Sequence, residues 1–94
     1  MTIPRQITRQ HVIDAMDILG PDASRWPRKR LSRHYDVVHP DPTKAWRMPP
    51  KLVLSLAAQY AVGHQLLPQD FNGGHEANGY LEDLGFRVID RRKV

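Results

Sequence analysis

Two adjacent prolines, Pro49 and Pro50, restrict the backbone of this chain more than any other pair of residues in it. Each fixes φ near −65° and removes a backbone donor, so neither fits a helix interior or the middle of a sheet. Both are acceptable where a helix starts, because the first N–H groups there have no intrahelical partner in any case. The residues that follow are helical in pattern: Val53, Leu56, Ala57 and Tyr60 recur at i, i+3, i+4 and i+7, and Gly63 supplies a stop. The step therefore ends an extended segment and opens a helix whose apolar stripe belongs to a core. The same step places Met48, two pyrrolidine rings and Lys51 at the positive end of a helix dipole, a combination suited to holding an anion beside an apolar surface.

Two further helices frame it. Thr8 is a good N-cap, Ile7 and Val12 are spaced as a hydrophobic staple, and Val12, Ala15, Met16 and Leu19 carry an apolar stripe to Gly20-Pro21, which predicts a helix over 8–19. Ala77, Tyr80, Leu81 and Leu84 form a third stripe, opened by Asn72-Gly73-Gly74. Gly85 fits the left-handed position after that helix, with Phe86 reaching back to Leu81 as a Schellman motif requires. Between the first two helices, Tyr35–His39 has strand composition, Pro40–Thr43 is a turn, and Lys44–Met48 returns as the hairpin partner. Phe86–Asp90 reads as a final strand, and Leu67 and Phe71 are expected to plug the core. The expected architecture is α+β: three main helices packed with a small β-hairpin and a C-terminal strand, residues 1–94 forming one domain.

Charge points to the partner. Lys and Arg number 14 against 10 acidic residues, a net +4 that favours a polyanion. Five of those cations, Arg25, Arg28, Lys29, Arg30 and Arg33, fall in one acid-free stretch interleaved with Trp26, Ser32 and His34. Such a stretch is either a solvated charged loop or a phosphate-binding one, in which Arg gives bidentate contacts and Ser a neutral one. Trp46 is either a core residue or a platform for a base. The Gly73-Gly74 pair allows close backbone approach to an anion, or serves the turn alone.

Other chemistries lack their residues. Cys is absent, which removes disulfides, thiolate nucleophiles and thiolate zinc sites. The five His residues show no H-x-x-x-H helical pair, and there is no G-x-S-x-G, Walker loop or G-x-G-x-x-G. No catalytic residue, metal or cofactor is expected, and a small nuclease ranks behind a binding module. No apolar run spans a bilayer and no apolar signal segment follows Met1, so the expectation is a cytoplasmic protein without a membrane partner.

Four segments together resemble a known family. Ile3-Pro4-Arg5-x-Ile7-Thr8-Arg9-x-His11-Val12, Ser32-x-x-Tyr35-Asp36-x-Val38, Pro49-Pro50-Lys51-x-Val53-x-Ser55-Leu56-Ala57 and Phe71-x-Gly73-Gly74-x-Glu76-x-Asn78-x-x-Leu81-x-x-Leu84-Gly85-Phe86 are similar to the sulfur-binding domains that recognise phosphorothioate-modified DNA. The resemblance implies an α+β domain of a restriction system that binds modified double-stranded DNA and works with an HNH nuclease, either fused or in a partner chain. By position it implies a sulfur pocket at Met48, Pro49 and Leu52. DNA contacts are implied at Arg28, Arg30, Ser32, Arg33, His34, Lys51, Asn72, Gly73, Gly74, His75 and Asn78. Such domains often carry Tyr before Pro-Pro-Lys, where this chain has Met48, whose polarizable thioether is still an apolar wall. The competing reading is a DNA-binding or protein-interaction module with no preference for sulfur.

Overall fold

The computed structural model describes residues 3–22, 35–44, 46–64 and 75–90. Three helices, α1 (Arg9–Leu19), α2 (Pro50–Val62) and α3 (His75–Asp83), and three strands, β1 (Tyr35–Val38), β2 (Arg47–Met48) and β3 (Arg87–Asp90), follow in the chain order α1-β1-β2-α2-α3-β3. The strands form one antiparallel sheet in the order β2-β1-β3. The α+β architecture expected from the pattern is the one observed.

Each helix start and stop follows from its residues. Thr8 is the N-cap of α1, and its Oγ1 accepts from the His11 N–H. His11 returns the favour through Nδ1, which accepts from the Thr8 N–H at 2.9 Å, so a histidine completes a capping box usually closed by Glu or Gln. Pro49 is the N-cap of α2, with extended φ and ψ, and Pro50 is its first helical residue. Gly63, with φ of 90°, closes the helix. The stop of α3 is a Schellman motif: Phe86 N–H donates to Leu81 C=O at 3.0 Å and Gly85 N–H to Glu82 C=O at 2.9 Å, with Gly85 at φ of 92°.

The core lies between the helices and one face of the sheet. Val37 pairs with Met48 on one side and with Val88 on the other, so these three side chains share a face and pack on the helical layer. Val12, Ala15 and Met16 of α1 meet Val53, Leu54, Ala57 and Ala58 of α2, with Ala77 and Leu81 of α3 completing the cluster. The buried stripe of α2 differs from the one its spacing suggests. Leu54 and Ala58 are fully buried while Tyr60 is 40% exposed, because α2 packs against α1, α3 and β1 at once and turns a broad face inward.

Two polar ties pin distant segments. The Tyr80 hydroxyl lies 2.7 Å from Ile7 C=O and 3.0 Å from Pro4 C=O, fastening the chain before α1 to α3. Burial raises its pKa above the ordinary 10.0. Tyr80→Phe removes that donor from the Ile7 carbonyl and leaves Pro4 C=O only its bond from Ile7 N–H, and is expected to cost about 1 kcal/mol, a lowering of Tm by roughly 4–8 °C for a domain of this size. A thermal melt checks it, and an unchanged Tm rules the tie out as a source of stability. At the other pole, buried His39 accepts the Asp41 N–H on Nδ1 and donates from Nε2 to Asp17 Oδ1 at 2.8 Å. Lys44 Nζ reaches the same oxygen at 3.0 Å, and the Lys44 and His39 hydrogen bonds hold the Asp17 pKa below 3.8.

Candidate nucleic-acid interface

The start of α2 is built as the sequence requires but is set deep. Met48 is 0% exposed, Pro49 is among the fully buried side chains and Pro50 is buried too. Leu52 and Lys51 are half-buried and form the accessible part of the step. No side chain caps the helix start and its first turn carries no acid, so the dipole there faces no fixed negative charge of its own. The apolar residues thus form a wall behind Leu52 rather than an open dent of their own. The reason lies in register: Met48 is the cross-strand neighbour of Val37, and the pleat that buries one buries the other.

Asn78 also turns inward. It is 8% exposed, and among the described residues its buried Oδ1 has no hydrogen-bond partner, nor has Glu76 Oε1 two residues earlier. Unpaired buried acceptors are uncommon. The remaining expected contacts, Arg28, Arg30, Ser32, Arg33, His34, Asn72, Gly73 and Gly74, lie outside the described residues, as do Leu67, Phe71 and the side chain of His75.

Trp46 is neither a fully buried core residue nor a free platform. It packs partly against the core, meets the His39 ring edge-on at 5.2 Å, and carries Lys44 Nζ 5.0 Å from its ring centroid. What the sequence reading passed over is a set of separated arginines. Arg5, Arg9, Arg47 and Arg87 are exposed, and among the described residues none of them forms an ion pair. Charge density along the chain favoured residues 25–33, whereas Arg47 and Arg87 become neighbours only through strand pairing, which density does not reveal.

Among the described residues there is no group of three or more His, Asp or Glu arranged to hold a metal ion, and no helix long and apolar enough to cross a membrane. The molecule is a small basic α+β module with exposed arginines on its surface. It belongs to the ScoMcrA-like, N-terminal head domain family, whose model matches residues 5–90. That family is associated with type IV restriction, in agreement with the restriction system implied by the sequence resemblance. No curated protein and no solved structure matches the chain.

Proposed function

We propose that this domain recognises modified double-stranded DNA for a type IV restriction system, that the modification is a phosphorothioate in the backbone, and that the domain binds while an HNH-type nuclease, fused or separate, cuts. The observation that carries the reading is membership in a restriction-associated family over nearly the whole chain. The net charge of +4 and the exposed arginines favour DNA as the partner.

Sulfur enters through chemistry. A phosphorothioate keeps its charge but replaces one strongly hydrated oxygen by a larger, poorly hydrated sulfur. An apolar wall next to a cation accepts that sulfur readily, while an oxygen in the same place forfeits hydrogen bonds to water. Leaving the oxygen unpaired costs about 1–3 kcal/mol, roughly ten- to a hundredfold in affinity. In this reading Leu52 is the wall, Met48 and Pro49 back it, and Lys51 holds the charge.

The test is binding of phosphorothioate and unmodified duplexes of one sequence, side by side. The modified duplex should bind ten- to a hundredfold tighter. Leu52→Asn, which gives oxygen a hydrogen-bonding surface, should narrow that ratio while circular dichroism shows the fold kept. Equal affinities for the two duplexes in the wild type would leave a DNA-binding module without sulfur selectivity, and binding to neither would leave a protein-interaction module.

A further inference from the structure

The face of the sheet turned away from the core carries an organised cationic row. Val38 is the register partner of Arg47 on β2 and of Arg87 on β3, so Arg47, Val38 and Arg87 project on one side, opposite the Val37 row that packs on the helices. Two strand spacings put the arginine backbones about 10 Å apart. Both arginines are exposed and Val38 is half-buried between them.

A groove of about 390 Å³ continues from this row around the end of the sheet. Val38, Pro40 and Pro42 give it apolar walls, Gly85 opens its rim, and Arg9 and Arg87 supply its charge. The Arg9 guanidinium is held at the rim by the Phe86 ring, 5.3 Å from its centroid. Among the described residues no carboxylate lines the groove. The neighbouring acids are engaged elsewhere: Asp41 Oδ1 accepts from the Thr43 N–H and hydroxyl, and Asp17 takes Lys44 and His39. Asp36, two residues before Val38 on the same face, is buried and has its own partner.

We infer that this face is a second DNA contact, one that grips the sugar–phosphate backbone apart from the Pro-Pro-Lys step, and the inference rests on the proposed DNA-binding function. Charge complementarity selects the occupant. Across the sheet the order is cation, apolar, cation, and along a DNA strand it is phosphate, deoxyribose, phosphate. Guanidinium groups pair bidentately with phosphate, while Val38 and the two prolines receive the weakly polar sugar. Such a contact carries no sequence or sulfur information; it sets orientation and adds affinity to every duplex alike.

The experiment uses the 94-residue chain and the double variant Arg47→Ala with Arg87→Ala, both exposed positions whose loss leaves the core untouched. Fluorescently labelled 20-base-pair duplexes, unmodified and phosphorothioate, are titrated across a range of salt. The variant should keep the wild-type Tm and bind both duplexes on the order of tenfold or more weakly. Its plot of log K against log salt should be shallower by about 1.8, at 0.9 per phosphate contact, with the ratio between duplexes preserved. A folded variant with wild-type affinity and salt slope overturns this face while leaving the proposed function standing. A wild-type chain that binds neither duplex overturns both, and loss of the sulfur preference alone would reassign the row to modification readout.

Discussion

Met48→Ala is expected to destabilise the domain by about 2–5 kcal/mol, the range for truncating a fully buried methionine and leaving a cavity. For a chain of this length that is a fall in Tm of at least about 8 °C. The side chain is 0% exposed, faces Val37 across the β1–β2 pair and sits immediately before the proline step that opens α2. Met48→Leu, which nearly conserves volume, should cost less than about 1.5 kcal/mol. Thermal melts of the two variants decide the matter together. Should Met48→Ala melt like the wild type and yet lose discrimination between modified and unmodified DNA, Met48 belongs to the recognition surface and its place in the core is wrong.

The expected result divides the organising step into two layers. Residues 48 and 49 are buried where β2 runs into α2, and residues 51 and 52 are the half-buried ones that the proposed reading assigns to the ligand. A mutation in the first layer should lower affinity for all DNA by depleting folded protein, whereas one in the second should change the ratio between duplexes at constant fold. That contrast separates a structural proline step from a reading head more cleanly than any single affinity.

How much of this was legible in the sequence depends on the range of the interaction. The helix ends are local, and Thr8, Gly63 and the Leu81 to Phe86 stop are found by residue type and spacing alone. The role of His11 was missed because histidine rarely stands where a capping box has Glu, although its ring nitrogen accepts from the same backbone N–H. The stripe of α2 was half read, since periodicity gives one face of a helix and this helix has neighbours on three sides. The candidate site was the least legible part. Whether Met48 lines a pocket or a core turns on pairing with Val37, and whether Arg47 and Arg87 cooperate turns on both meeting Val38. Register of this kind is set by the whole sheet and leaves no signature in a single strand.

The second large effect is expected at Gly85. Its φ of 92° lies in the left-handed region, and the two hydrogen bonds that end α3 depend on it. Among the described residues a Cβ built there meets only Arg9 Nε, at 3.7 Å, an ordinary contact, so the cost of a larger residue is not one of space. The penalty is conformational: a β-branched side chain resists positive φ, and strain of this kind costs on the order of 1–3 kcal/mol. Gly85→Val should therefore lower Tm by at least about 4 °C, while Gly85→Asn, whose short polar side chain tolerates the left-handed region, should lose less. The consequence extends to function, because Gly85 also forms the rim of the groove and precedes Phe86, on which Arg9 rests. Loss of the cap should weaken DNA binding by loosening the start of β3, and Gly85→Asn should recover most of it. A Gly85→Val protein with an unaltered melt would show that α3 does not depend on the left-handed cap, and the link from that cap to the groove would fall with it.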